Sequence, residues 1–335
     1  MKIAVIGAGA IGSVVAAYLS KAKQDVVLVG RADHVNAVTK NGLLIKGIRG
    51  EERFDIKALT TLDQYYDLVI FATKTQDLEE AYQHNSAFLE DRLILTTQNG
   101  VQADNILSGH YDRERMISSI VMFGATYMCP GEVIFNFEGP WIIGKPFMPN
   151  DPTVHRIAEI FAQAFSVNVS HDIMGMKWLK LFINFNNCIP ALTGKSMQET
   201  FADLDMCRFS LLLLKEGLGI VQTAKIELTS LPDFPTERTL GLAAMPLEQG
   251  AAVIQKVLTG LSREPLYGSI LQSILRGKTS EIDFINGEVV QLASHLRIQA
   301  PLNEKIVEMV HQVERTGKFL TFDDIKQIFL KQPIG

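Results

Sequence analysis

Lys2-Ile3-Ala4-Val5-Ile6-Gly7-Ala8-Gly9-Ala10-Ile11-Gly12 stands one position after Met1 in this chain of 335 residues. Lys2 to Ile6 reads as a buried strand, and Ala10 to Lys21 as a helix with small residues on its inner face. Gly7, Gly9 and Gly12 mark the joint between them. Gly7 permits a tight turn, Gly9 lets a pyrophosphate approach the backbone, and Gly12 allows the helix to pack closely on the sheet. Amides at the helix start, those of Ala10 and Ile11 included, then face the phosphates together with the positive end of the helix dipole. With a second strand over Asp25–Val29 the whole unit matches a dinucleotide-binding fingerprint, which a lone glycine spacing does not.

The end of that second strand discriminates between cofactors. An acidic residue there would accept from the adenine ribose hydroxyls. The chain instead reads Val29-Gly30-Arg31. A guanidinium suits a 2′-phosphate through charge-assisted bonds, so the expectation is NADP(H), with a solvated loop arginine as the alternative.

Outward from this unit, strand and helix patterns alternate. A helix is expected near Asp33–Lys40, a β-hairpin over Gly42–Leu59, a strand over Leu68–Thr73, a helix over Gln76–Phe88 and a strand over Arg92–Thr97. The succession implies a mostly parallel sheet with helices on both faces. Met116–Gly144 is richer in β signals, with turns at Cys129-Pro130-Gly131 and Glu138-Gly139-Pro140. A helix over Asp151–Ala164 and a short strand over Ser166–Ser170 follow. Beyond about residue 170 the pattern turns helical, with long helices expected over Gly175–Ala191, Met197–Ala224, Thr236–Leu258 and Ser280–His295. The predicted architecture is an α/β N-terminal domain over 1–170 and an all-α C-terminal domain over 171–335, with a ligand cleft at the boundary.

Composition narrows the function classes. Apolar residues make up 47% and charged residues 21%, as in an ordinary globular protein. A net charge of −5 argues against nucleic-acid binding, which needs a basic surface. Cys129, Cys188 and Cys207 lack CxxC spacing, and the seven histidines form no HExxH pair, so no metal is expected. The run Ile3–Leu19 has the apolarity of a signal-peptide core, but its glycine spacing and strand-then-helix pattern argue otherwise. Phe209–Val221 is interrupted by Lys215 and Glu216, so no membrane span is expected and the chain reads as cytoplasmic.

Three clusters carry candidate chemistry. Lys74 and Asn99 follow the ends of neighbouring parallel strands, where ligands of open α/β sheets bind; a solvated lysine and an Asn-Gly turn are the plainer readings. Lys177, Lys180, Asn184, Asn187 and Cys188 share a helical face amid apolar neighbours, and a partly buried lysine there can act as acid or base. Ser269 and Ser280-Glu281-Ile282-Asp283 form the third, the latter resembling a capping box at a helix start.

In order and interval these motifs resemble the ketopantoate reductase (2-dehydropantoate 2-reductase) family along nearly the whole chain. The shared phrases are Gly7–Gly12, Arg31, Lys74, Gln98-Asn99-Gly100, Trp178-Leu179-Lys180 and Glu281-Ile282-Asp283-Phe284-Ile285-Asn286-Gly287. The resemblance implies a Rossmann domain followed by a helical domain, and NADPH-dependent reduction of a 2-oxo acid on the route to pantothenate. It implies Lys180 as general acid, a choice over Lys177 that spacing alone leaves open. It further implies that Lys74 and Asn99 hold the nicotinamide riboside, with Asn99 also reaching the substrate. Asn184 and Ser269 would bond the substrate, and Glu281 would accept from its hydroxyl while placing Lys180.

Departures from the family pattern bear on the substrate. Cys188, with Asn187 beside it, stands where a second Asn is usual. Leu266 replaces an Asn, and Ser273 an Asp. The expected reaction is 2-dehydropantoate to (R)-pantoate, with a reductase of another branched 2-oxo acid as the alternative, Leu266 and Cys188 favouring a more apolar substrate. A non-catalytic NADP(H)-binding redox sensor is the rival from another class. Oligomeric state is open, with a homodimer as the candidate.

Overall fold

The computed structural model describes residues 1–262 and 264–330, divided into two compact units, Met1–Met174 and the chain from Gly175 onward. In the first unit β1 (Lys2–Ile6), α1 (Ala10–Lys21), β2 (Asp25–Val29) and α2 (Ala32–Asn41) follow the expected order. Next come β3 (Leu43–Gly47), β4 (Glu52–Phe54), β5 (Lys57–Leu59) and β6 (Leu68–Phe71). After them run α3 (Leu78–Asn85), β7 (Leu93–Thr96), α4 (Gln102–Ser108) and β8 (Met116–Val121). The unit continues with β9 (Gly124–Cys129), β10 (Glu132–Phe137), β11 (Trp141–Gly144), α5 (Pro152–Phe161) and β12 (Val167–Val169).

Eight strands form one sheet in the order β12-β11-β8-β7-β6-β1-β2-β5. Its pairings are parallel except that of β8 with β11. Residues 42–59 do not form a single hairpin. β3 and β4 pair antiparallel, Leu43 opposite Phe54, but β5 leaves them and adds in parallel to β2. There it pairs a strand that would otherwise be an open sheet edge. β3 and β4 join β9 and β10 in a second, four-stranded sheet.

That second sheet changes the environment of α1. The sequence pattern gives α1 one inner face, yet every residue from Gly12 to Leu19 is buried. The helix lies between the two sheets, packing on β1 and β2 on one side and on β3, β9 and β10 on the other. A helix covered all round must be apolar or small all round, and Val14, Val15, Ala16, Ala17 and Leu19 meet that demand. The opposite face of the large sheet packs Leu78, Leu89, Ala103 and Leu107 against Ala4, Ile6, Val69 and Phe71. α4, which contributes Ala103 and Leu107, is too short to show a helical period in the sequence.

The second unit breaks the expected long helices at identifiable residues. Residues 175–191 are α6 (Ile173–Asn184), a 3₁₀ turn over Phe185–Asn187 and α7 (Cys188–Thr193). Pro190 has no amide to offer the Asn186 carbonyl, so one continuous helix cannot pass. α8 (Met197–Phe201) and α9 (Leu204–Thr223) part where Asp203 caps a new start, accepting from the Asp205 amide at 2.8 Å. α10 (Thr236–Ala244) and α11 (Leu247–Thr259) part at Pro246. α12 (Ser269–Leu275), α13 (Asn286–Leu296), α14 (Pro301–Thr316) and α15 (Phe322–Leu330) complete the unit. The helix expected from Ser280 begins at Asn286, and Ser280 forms no capping box; its hydroxyl accepts from the Ile282 amide at 3.3 Å.

α9 is the spine, with α8, α10, α11, α13, α14 and α15 packed around it. The two charges that interrupt its apolar run both serve helix ends. Glu216 accepts from the amides of Leu302 and Asn303 at 3.0 and 2.8 Å, in the first turn of α14. Lys215 donates to the Met245 carbonyl, just past α10, at 2.7 Å. Each charge complements the dipole of the helix end it meets. Among the described residues no helix is long and apolar enough to cross a membrane.

Candidate active site

The glycine turn is built by three different spatial constraints. Gly7 lies at φ +112°, which L side chains avoid, and a Cβ there would overlap the backbone of Ala72 and Thr73 beyond β6. Its amide and that of Ala8 both donate to the Val29 carbonyl, at 2.9 and 3.1 Å. A Cβ on Gly12 would overlap the Gly7 carbonyl oxygen and stand 3.1 Å from the Ala72 Cβ. Gly9 is the opposite case, since a Cβ there would meet no protein atom within 4 Å. Gly9 caps α1 through its backbone alone, taking the Ser13 amide at 3.0 Å. Amides of the first turn, among them Ala10 and Ile11, have no intrahelical partner. A bare Cα beside donor amides at a positive helix end fits a pyrophosphate.

Arg31 is exposed and is the N-cap residue of α2. One turn on, buried His34 ties α2 to the second sheet: its Nδ1 accepts the Gly131 amide at 3.2 Å and lies 3.2 Å from the Tyr127 hydroxyl. Burial holds the His34 pKa below its usual value. Lys74 and Asn99, both half-buried, follow the neighbouring strands β6 and β7. Between them stands Gln98, 5% exposed. Its Nε2 donates to the carbonyls of Phe71 (3.1 Å) and Thr73 (3.0 Å), and its Oε1 accepts the Thr97 amide at 3.1 Å. Gln98 thereby fastens the segment that carries Lys74 to the one that carries Asn99. Sequence reading quotes this residue but gives it no role, because burial beyond a strand end leaves no periodic signal.

In the second unit, Lys177 is buried and Lys180 half-buried, both on α6. Burial, and then the charge of Lys177, lower the Lys180 pKa to about 8, while the charge of Glu281 opposes the shift. The structure thus places Lys180 and Glu281 within each other's field although a hundred residues separate them. Glu281 is half-buried at the head of the 3₁₀ turn Ile282–Phe284.

The 3₁₀ turn after Asn184 breaks the single helical face expected for Lys177 through Cys188. Cys188 is fully buried, its Sγ donates to the Phe185 carbonyl at 2.9 Å, and burial pushes its pKa up to about 12. It therefore faces the protein interior and cannot favour an apolar substrate by contact. Asn187 instead packs against Gly268, whose Cβ would overlap its side-chain amide, next to the exposed Ser269 that begins α12. Ser273 is buried and its hydroxyl donates to the Ser269 carbonyl at 3.1 Å. Leu266 is 39% exposed. Its backbone is fixed on both sides, the carbonyl taking the Met197 amide at 2.8 Å and the amide donating to Gln198 Oε1 at 3.0 Å. Tyr267 beside it, a second large side chain and one that motif reading overlooked, is 43% exposed.

Known proteins share this layout from end to end. The family model "Ketopantoate reductase PanE/ApbA" matches residues 3–146, and its C-terminal counterpart matches residues 172–314. A 2-dehydropantoate 2-reductase of Pyrococcus horikoshii is 31% identical over 95% of this chain and 99% of its own. Among solved structures, a PanE/ApbA family ketopantoate reductase of Ralstonia eutropha superposes with TM-score 0.80 at 26% identity, covering 94% of this chain and 99% of that one. A D-mandelate dehydrogenase, bound to NADH and anilino(oxo)acetate, shares the fold at TM-score 0.82 and 21% identity, with the same coverage. The chain belongs to the ketopantoate reductase PanE/ApbA family, and it is a pyridine-nucleotide oxidoreductase acting on a CH–OH group.

Proposed function

We propose that this enzyme uses NADPH to reduce a 2-oxo acid to a D-2-hydroxy acid, 2-dehydropantoate to (R)-pantoate of pantothenate biosynthesis being the first reaction to test. The observation that carries this reading is Lys180, an ammonium whose pKa is lowered to about 8 beside Glu281, in a chain that also holds a dinucleotide turn. Reduced nicotinamide, when bound, supplies the hydride. Lys180 gives its proton to the substrate carbonyl oxygen and offsets the negative charge that grows there. A pKa near the working pH suits that transfer, since the acid is present and gives up its proton readily. Glu281 accepts from the substrate hydroxyl and steadies Lys180. Asn184 and Ser269 bond the oxo acid. Lys74 and Asn99 hold the nicotinamide riboside, Asn99 also reaching the substrate, and Arg31 at the start of α2 binds the 2′-phosphate.

A second reading follows from Leu266 and Tyr267. Both are exposed on a fixed strip of backbone that leads into Ser269. Such a strip favours an oxo acid with a bulky apolar group over one bearing a hydroxyl, because lost donors loosen hydroxyl discrimination. The D-mandelate dehydrogenase neighbour, bound to an aromatic oxo acid, is consistent with that choice. NADPH oxidation followed by absorbance across a panel of 2-oxo acids separates the two by kcat/KM. Tight NADPH binding with no turnover of any panel member would overturn both and leave a non-catalytic redox sensor.

A further inference from the structure

Residues Ser280–Ile285 carry Glu281 between α12 and α13 while belonging to neither helix. Within this segment the backbone makes a single 3₁₀ turn, Phe284 donating to the Glu281 carbonyl at 3.0 Å and Ile285 to that of Ile282 at 3.2 Å. The anchoring comes from α14. Glu314 accepts the Ser280 amide through Oε1 at 2.7 Å, and its Oε2 lies 3.0 Å from His311 Nδ1. His311 Nε2 in turn lies 2.9 Å from Asp283 Oδ1. The path Ser280–Glu314–His311–Asp283 therefore grips the chain on both sides of Glu281.

An ionised carboxylate only accepts hydrogen bonds, and a neutral imidazole donates from one nitrogen only. Both contacts of His311 can be hydrogen bonds at once only when the ring is an imidazolium. On losing its proton the ring turns a lone pair toward one of the two carboxylates, and that side of the grip opens. We propose that His311 is a positioning residue for Glu281, closing this clasp as an imidazolium and releasing it as a neutral ring.

The clasp stands on geometry within one compact unit; its effect on turnover rests on the reading of Glu281 given above. Burial pulls the His311 pKa down, but the bonds to Asp283 and Glu314 outweigh it, so the net shift is upward from 6.5. Those two carboxylates are the charges acting on the ring. Of the other elements packed on α14, α7 offers only the neutral Cys188 thiol. On α9, Glu216 is bound to the far end of α14, Lys215 to Met245, and Arg208 to Asp205 and Glu248. Glu288 and His295 of α13 are not among the groups that shift His311. Because the folded pKa is raised, the stabilisation is complete below pH 6.5 and is lost as pH rises through the folded value.

The test compares the full-length wild-type enzyme with His311→Gln, which is uncharged at every pH. Amide hydrogen-exchange protection of 280–285 is measured at about pH 5.5 and about pH 8.5, either side of the imidazole titration. Wild-type protection should fall about tenfold between them, the scale of one lost charge-assisted bond, and should be low and pH-independent in His311→Gln. At about pH 6 the variant should raise KM for the 2-oxo acid about three- to tenfold with NADPH affinity unchanged. Protection that responds to pH identically in both proteins overturns the clasp. Protection that responds while KM does not overturns the positioning of Glu281. Should the wild type turn over no 2-oxo acid, the reductase reading fails and exchange alone decides the clasp. If His311→Gln does not fold, Asp283→Asn must lose the same pH response.

Discussion

The carbonyl oxygen of Gly7 occupies the space a Cβ on Gly12 would need, while the equivalent space at Gly9 is empty of protein. Folding and cofactor binding therefore make separate demands on one short turn. Gly12→Ala should lower Tm and weaken NADPH binding together. Gly9→Ala should keep its Tm and still raise the Kd for NADPH at least tenfold, since its methyl meets only the phosphates. Thermal melts with and without cofactor distinguish the two, and a Gly9→Ala protein that binds normally would falsify the phosphate placement.

In the proposed reading Arg31→Ala removes a charge-assisted contact to the 2′-phosphate, and because Arg31 is exposed it should leave Tm unchanged. Loss of one such bond corresponds to about 1.5–3 kcal/mol, or about a ten- to hundredfold fall in the NADPH/NADH ratio of kcat/KM. An unchanged ratio assigns the 2′-phosphate to other residues.

Lys180→Ala should reduce kcat by about two to four orders of magnitude with NADPH affinity preserved, the usual contribution of a general acid. Direct titration of bound cofactor by fluorescence checks the second half. Near-normal turnover would remove Lys180 from the chemistry.

In the proposed mechanism the protonated form of Lys180 is the acid, so kcat/KM should decline as pH rises through about 8. Lys177 disfavours that proton and Glu281 favours it. Lys177→Met should thus move the alkaline limb upward, and Glu281→Gln should move it downward. Shifts of the same sign in both variants would contradict this electrostatic arrangement.

Asn303, fully buried, accepts from Asn286 at 3.0 Å and donates to Glu216 at 2.9 Å. Asn303→Ala strands the buried Asn286 amide and takes one of three donors from Glu216, which keeps the Leu302 and Asn303 amides, and should destabilise the fold by about 1–3 kcal/mol, read as a lower denaturant midpoint. The reductase assay at low temperature should change little, since none of these groups is placed at the chemistry.

Local signals carried the start of the chain well. The bounds of β1, α1 and β2 follow from apolar runs punctuated by glycine, because each element there is a complete period between breakers. The helical half was legible as helical but not in its joints. Pro190 and Pro246 are visible breakers whose effect an apolar periodicity running through them conceals. The late start of α13 had no local sign at all, because the Ser280 amide is taken by Glu314, 34 residues away. The site divides in the same manner. Gly7, Gly9, Gly12 and Arg31 announce themselves through a motif with a mechanism. The pairing of Lys180 with Glu281 was reached through family resemblance, since nothing in their spacing links them. Gln98, His311 and Gln198 act by tying backbone segments together, and such ties exist only once the chain has folded.

From Gly12 to Leu19 α1 has no solvent-facing side, whereas Arg31 stands in the open at the head of α2. Mutational drift is consequently confined to different places for different traits. In the proposed reading, the turn that holds the phosphates is shaped by Gly7 and Gly12, where a Cβ meets backbone, while the preference between two cofactors rests on a side chain the core does not feel. On that assignment, a lineage or an engineer exchanges one redox currency for the other by surface changes alone, without renegotiating the fold.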